Sequence, residues 1–410
     1  MNLFLIITIL VCITAGFAYF NSRFLKLPDS IGMMLASLVF SVLLISIGTL
    51  FPSIFRIAQG FIAQIDFGAV LLEIMLSFLL FAGALHTDIS LLKKNYRAIS
   101  VFAVIGVCIS ALLTAGMLYG LFILFGHPVN FMYCFLFGAL VAPTDPIAVL
   151  GILTKAGAPK DVEIKIVGES LFNDGIGVVL FLFLVEIIQT GTGSVSGFQV
   201  IWLLIKEIGG GVLLGYLLGY LGYRMMRKVD NYQTEIFITL AMVMGGYELA
   251  SQLHFSGPLA MVVAGLFTGS RSKEKAMSDI TEVYVDKFWE LADILLNAIL
   301  FVLIGLELLV LQIDSWYLIA GVIAIPITLL ARYLSLLVPS VLLKKFIGTD
   351  HKTIQLMTWG GLRGGLSIAM ALSLTDPFPK NQFVFMVYVL VLFSIIVQGL
   401  SMGRLVKKLF

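Results

Sequence analysis

The sequence predicts an all-α polytopic membrane protein with about thirteen transmembrane helices. Three observations carry that prediction. Of the 410 residues, 60% are hydrophobic and only 12% charged, against roughly 25% charged in soluble domains. The apolar residues form runs that approach the ~20 positions a helix needs to cross a bilayer, without the alternation of barrel strands. The Lys and Arg residues concentrate in every second connection between those runs.

In chain order the runs cover residues 1–20, 29–51, 67–85, 98–126, 131–154, 164–188, 199–223, 233–253, 257–270, 288–312, 315–343, 353–374 and 381–403. The first has no basic residue ahead of it; Arg23 and Lys26 follow it instead. That pattern favours a retained first span over a signal peptide. The ninth run is short and depends on its neighbours for burial. Residues 271–290 form the longest polar connection, mix both charge signs and are expected as an interfacial helix. No soluble domain is expected at either end. Cys12, Cys108 and Cys134 lie inside apolar runs and read as small buried residues rather than a disulfide or metal site. The net charge of +2 identifies no partner; the surroundings expected are lipid, with no nucleic acid.

Of the 26 Lys and Arg residues, 21 fall in connections after odd-numbered spans, in the tail or, for Lys165, at the very start of the span that follows such a connection. Only Arg56 and Lys380 fall after even-numbered spans, and Lys206, Arg332 and Arg363 lie within spans. One missed span would scramble every later connection. The positive-inside rule then places the N-terminus outside and the C-terminus in the cytoplasm.

The sixth span holds Gly168-Glu169-Ser170-Leu171-Phe172-Asn173-Asp174-Gly175 near its middle. Ionisable groups at that depth are costly and mark a functional site by default. On a helix Glu169 and Asn173 share one face, and Ser170 and Asp174 the adjacent one.

Two other spans break their own helices. The fifth contains Ala142-Pro143-Thr144-Asp145-Pro146, and each proline removes an N–H and crowds the preceding turn. The carbonyls freed near Ala139 and Ala142 must find a partner or line a wet cavity. With the Thr144 hydroxyl and the Asp145 carboxylate they make a hard-oxygen set suited to a small monovalent cation. The twelfth contains Gly360-Gly361-Leu362-Arg363-Gly364-Gly365-Leu366-Ser367, where four glycines weaken the helix around one arginine. Six spans on each side of a linker at 199–223 give two halves, 1–190 and 232–410, of inverted orientation in one transmembrane domain. Paired broken helices in such halves point to a secondary transporter's site at the midplane.

Ala142-Pro143-Thr144-Asp145-Pro146, Glu169-Ser170-Leu171-Phe172-Asn173-Asp174 and Gly360-Gly361-Leu362-Arg363-Gly364 resemble, in that order, motifs of the monovalent cation:proton antiporters of the first superfamily. These include the bacterial NhaP-type and animal NHE-type sodium/proton exchangers. The resemblance implies a thirteen-helix NhaA/NHE-like fold with a dimerisation domain and a moving core. It implies a homodimer in the cytoplasmic membrane and electroneutral exchange of one sodium or lithium ion for one proton, with no cofactor. It makes Asp174 the ion and proton carrier, has Asn173 and Asp145 help hold the site, and pairs Glu169 with Arg332. One departure stands out: where many prokaryotic relatives have Glu before Gly-Ala-Leu in the third span, this chain has Ala82.

A buried carboxylate needs its charge neutralised, by a proton or by a cation, before it can cross an apolar barrier. Competition of the two at Asp174, with Asp145 beside it, therefore suffices for antiport. Thr144 and Ser170 are candidate oxygen ligands, with bonding to a carbonyl one turn back as the equal alternative. Glu169, Arg332 and Arg363 read as a structural charge network, with Arg363 holding the carbonyls freed in the fifth span. Glu73, Glu248, Asp293 and Glu307 are expected to line the cavity or bond between helices, Lys206, Glu207 and Glu186 to lie toward an outer end, and the four histidines to flank spans. A potassium/proton antiporter of the same fold is the alternative function, and a cation channel a more distant one. An intramembrane aspartyl protease with Asp145 and Asp174 as its dyad lacks the Gly-x-Gly-Asp motif.

Overall fold

A computed structural model describes residues 3–27, 29–62, 68, 70–145, 147–190, 197–310 and 314–410. Among them every regular element is a helix. Among the described residues eight helices are long and apolar enough to cross a membrane, so the chain is a multi-pass membrane protein.

The first helix, α1 (Leu3–Phe20), continues through a π-helical turn to Leu25. Next come α2 (Asp29–Leu50), α3 (Pro52–Ile62), α4 (Val70–Leu85) and α5 (Ile89–Leu124). The fifth expected span is two half-helices, α6 (Phe131–Val141) and α7 (Ile147–Ala156). Then follow α8 (Lys160–Thr190), α9 (Gly197–Met226), α10 (Tyr232–Leu253), α11 (Gly257–Phe267), α12 (Asp279–Glu307) and α13 (Ser315–Leu342). The twelfth expected span is again split, into α14 (His351–Trp359) and α15 (Gly365–Leu372). The last is α16 (Lys380–Leu409). The expected spans overlap helices or pairs of half-helices, of which eight are long and apolar enough to cross on their own; the expected starts at 1 and 67, the end at 312 and Pro146 lie outside the described residues.

The ends differ most at two places. Helix α5 begins at Ile89, about nine residues early, because the Asp88 carboxylate accepts the N–H of Ser90 at 2.8 Å and of Leu91 at 3.2 Å. Helix α12 begins at Asp279, so the expected separate interfacial helix within 271–290 is corrected. Ser278 and Thr281 form a capping box, which starts one unbroken 29-residue helix through the charged stretch. The connection after α2 holds α3, which was not expected. The cysteines are also corrected in part: all three are free, but only Cys134 is buried, while Cys12 and Cys108 lie on the outer surface of their helices.

The helices pack as two groups. One contains α1, α2, α4 and α9 to α12; the other contains α5 to α8 and α13 to α16. Small residues set the close approaches. A Cβ on Gly305 of α12 would lie 1.9 Å from Ser37 Oγ of α2, and Ser41 Oγ donates to the Gly305 carbonyl at 2.8 Å. The groups meet along a seam where α8 touches α9 and α11, and α15 touches α4 and α12.

Candidate functional site: a cavity between the two helix groups

A cavity of ≈ 80 Å³ opens on that seam, with room for several waters at roughly 10–15 Å³ each. One wall is Leu71, Met75 and Gly83 of α4 with Asn297 and Leu300 of α12. The other is Pro143, Thr144 and Asp145 from the first break, Leu171 and Asp174 of α8, and Gly364 to Ser367 from the second break.

The two breaks support each other. The Asp145 amide donates to the Leu362 carbonyl at 2.8 Å. Arg363 Nη1 donates to the carbonyls of Ala142 and Pro143 at 2.6 and 3.0 Å, so of the two carbonyls expected to be freed the arginine satisfies Ala142, while Ala139 accepts the Ala142 amide at 3.4 Å. The Arg363 amide donates to Ser394 Oγ at 3.0 Å, and Gln398 Nε2 to the Trp359 carbonyl at 2.9 Å. Ser394 and Gln398 lie in a π-helical turn of α16, Ser394–Gly399, a form common at functional sites.

Behind the cavity is a buried polar network. Arg332 of α13 binds both oxygens of Glu169, at 2.7 and 2.6 Å, and both side chains are almost wholly buried. Asn173 Nδ2 donates to Glu169 Oε1 at 2.8 Å and to Thr144 Oγ1 at 2.9 Å, while its Oδ1 accepts the Thr144 amide at 3.3 Å. Thr144 Oγ1 donates to Ser170 Oγ at 3.2 Å, and Ser170 Oγ to the Thr144 carbonyl. The two hydroxyls thus bond to each other's residues across helices, not one turn back along their own.

The aspartates sit differently. Asp145 packs against the start of α15: a Cβ on Gly364 would lie 2.6 Å from its Oδ2. An anion at a helix N-terminus is favoured by the free N–H groups and the dipole. Asp174 lies mid-helix on α8, lines the cavity, and receives no hydrogen bond on its carboxylate among the described residues.

A second, wider space of ≈ 460 Å³ is lined by His86, Asp286, Lys287, Glu290 and Asp293. Lys273 neutralises Asp286 at 2.6 Å and Lys287 pairs with Glu290 at 2.5 Å. Asn297 Nδ2 bonds Asp293 through its carbonyl and Oδ1 at 2.9 and 3.0 Å. One hydrogen-bonded pair therefore connects this vestibule to the cavity.

All eight singled-out residues lie around the two breaks and α8. Asp145, Asp174 and Thr144 reach the cavity wall, whereas Ser170, Asn173, Glu169, Arg332 and Arg363 lie behind it. Of the other acids, Asp293 faces the vestibule and Glu307 is buried at the end of α12. Glu248 is exposed beside Gln252, and the Glu73 side chain lies outside the described residues. His127 stacks on Trp316 with centroids 4.1 Å apart. Ala82 is buried, and the cavity wall there is Gly83. Asn297 and Ser367 also form the wall, although neither is among the expected site residues. A lone polar residue inside an apolar run, the rule that found Asp174, marks Asn297 as well.

Residues 6–408 match the family model described as sodium/hydrogen exchanger, transmembrane. The chain is 47% identical over 406 residues to the Na(+)/H(+) antiporter NhaP of Pseudomonas aeruginosa, covering 98% of this chain and 95% of that protein. It is 34% identical to the Na(+)/H(+) antiporter NhaH of Halobacillus aidingensis, covering 95% and 93%. The fold is similar to the solved sodium proton antiporter MjNhaP1 of Methanocaldococcus jannaschii, with a TM-score of 0.79 over 100% of this chain and 99% of that one at 22% identity.

Proposed function

The chain belongs to the sodium/hydrogen exchanger family and is a sodium/proton antiporter, and we propose that exchange runs through competition of the two cations for Asp174. The observation that carries this is the contrast between the aspartates. Asp145 is held at the start of α15 and acts as a fixed charge. Asp174 faces the cavity with no protein donor among the described residues and needs a mobile partner.

Asn173, Thr144 and Ser170 hold the broken α6–α7 backbone against α8, and Glu169–Arg332 fixes α8 to α13. With one exchanging carboxylate, one sodium replaces one proton and the cycle is electroneutral. The loaded or protonated site rocks between the two faces as the second helix group moves against the first; the bare carboxylate blocks the step because it is costly to pass through the seam.

The basic loops set the orientation: N-terminus outside, C-terminus cytoplasmic, in the plasma membrane, with thirteen crossings and inverted halves at 1–190 and 232–410. The vestibule shares its end of the molecule with the loops after α4 and α11, so it faces the cytoplasm. A homodimer belongs to the same reading; light scattering of the detergent-solubilised protein, corrected for bound detergent, tests it.

Sodium over potassium is supported by the activities named for the relatives. In everted vesicles, added sodium should dequench a pH dye in the presence of valinomycin and potassium. A response to potassium that exceeds the sodium response overturns the sodium assignment, and a conductive sodium leak overturns antiport.

A further inference from the structure

We propose that Glu307 is a second proton site, at the outer end of the seam, which has to take a proton from the outer water before that end can close. The proposal rests on the rocking cycle above, not on which group carries the ions. Alternating access needs a closure at each end, and the vestibule marks the cytoplasmic one. Glu307 stands at the opposite end. Helix α12 runs from the vestibule residues Asp286, Glu290 and Asp293 past Asn297 on the cavity wall and finishes at Glu307. That is about 15 Å beyond Asn297 at 1.5 Å per residue.

Buried polar atoms stand without partners there. Glu307 is 6% exposed, and its Oε2 has no hydrogen bond among the described residues. Tyr388 of α16 is 2% exposed and its hydroxyl is likewise unpartnered, as is Nε2 of Gln382. Each such group costs roughly 1–3 kcal/mol and calls for an explanation. Glu307 belongs to the first helix group and Tyr388 to the second, and the two interact electrostatically, so they lie on either side of the seam. Lys380, at the start of α16, acts on Glu307 from a distance and forms no ion pair with it among the described residues. Of the other titratable groups on elements around that end, Arg56, Glu248, His254, Asp314 and Asp376 are exposed, and the Glu73 side chain lies outside the described residues.

A carboxylate shut into a dry seam without a cation beside it takes a proton. It then also has an O–H to donate. When the second helix group swings away, water reaches both Glu307 and Tyr388, and the proton returns to the outer water. The proton is taken up and released on one side, so the exchange of one sodium for one proton is unchanged. The orphaned atoms of the closed end are thus the groups that water satisfies in the open one.

This gives the outer pH an effect of fixed sign. Rising outer pH empties Glu307 and slows closure, which lowers Vmax. Competition at Asp174 acts on the sodium KM and in the other sense, because fewer protons then oppose sodium. The test is radiolabelled sodium uptake into right-side-out vesicles at fixed internal pH, with Vmax taken from sodium saturation as outer pH is raised. The parent Vmax should fall, by as much as about tenfold per pH unit, the limit for one titrating group. E307Q closes without a proton, so its Vmax should not depend on outer pH. In everted vesicles the dependence on cytoplasmic pH should be the same in the parent and E307Q. If E307Q does not fold, E307M gives the same neutral side chain. A parent Vmax that is flat or rises overturns the site whatever the variants do, and so does a folded E307Q or E307M whose Vmax still falls. A changed cytoplasmic profile in E307Q also overturns it, since Glu307 would then act through Asp174. An active D174N overturns competition at Asp174 and leaves this site standing.

Discussion

Arg332 closes on Glu169 with two nearly equal hydrogen bonds, 2.7 and 2.6 Å, across 163 positions of sequence. This bidentate pair joins α13 to α8 directly behind the cavity, and Asn173 extends it to Thr144. Through Thr144, Ser170 on the adjacent face of α8 joins the same hydrogen-bonded system.

Removing one partner leaves a charge buried without compensation. Glu169→Gln or Arg332→Met should each cost about 3–5 kcal/mol of stability. The double variant Glu169→Leu/Arg332→Met should recover part of that loss, because no charge then remains. Thermal melting of the three proteins in one detergent checks this, and a double variant less stable than both singles contradicts it.

Arg363 substitutes for backbone donors that the break in the fifth span removes. In Arg363→Ala the carbonyls of Ala142 and Pro143 lose the partner that holds them, at roughly 1–3 kcal/mol for each buried group left unsatisfied. The expected outcome is folded protein with exchange reduced at least about tenfold, the rate equivalent of 1.4 kcal/mol. Exchange near the parent rate would show that the carbonyls find other donors.

Gly364 gives the Asp145 carboxylate its seat. Gly364→Ala places a Cβ 2.6 Å from Oδ2 and should displace the carboxylate and suppress sodium-driven proton movement. Gly151→Ala is the control, since nothing lies within 4 Å of a Cβ there. Equal activity of the two variants contradicts the placement.

Asp88 caps α5 outside the span, and the Leu91 and Ser90 amides hold its carboxyl below the ordinary value. A depressed folded value contributes stability above the unfolded value and loses it as pH falls through the folded one. Hydrogen exchange at Ser90 and Leu91 should therefore rise relative to neighbouring amides below about pH 4. Asp88→Asn keeps a capping oxygen and should flatten that pH dependence.

The long spans and both breaks were legible because hydropathy, proline and glycine act locally. So was the clustering of Asp145, Asp174 and Arg363, since each sits at the centre of its span. The start of α12 was not, because its first turns are charged and only the Ser278–Thr281 box marks them. Ser367 was hidden for a different reason. A serine in a helix is ordinarily satisfied by its own backbone, and only the fold shows that the hydroxyl of this one has no partner among the described residues. Asn173 shows the same limit: its position on α8 was plain, but not that its amide is spent bracing Thr144 and Glu169.

In the proposed cycle one carboxylate serves both ions in turn. Sodium-driven proton flux through Asp174→Asn in proteoliposomes tests it most directly, with thermal melting to show that the protein is folded. The expected result is folded protein with no sodium-dependent flux above that of empty liposomes. Robust flux through the same protein would contradict competition at Asp174.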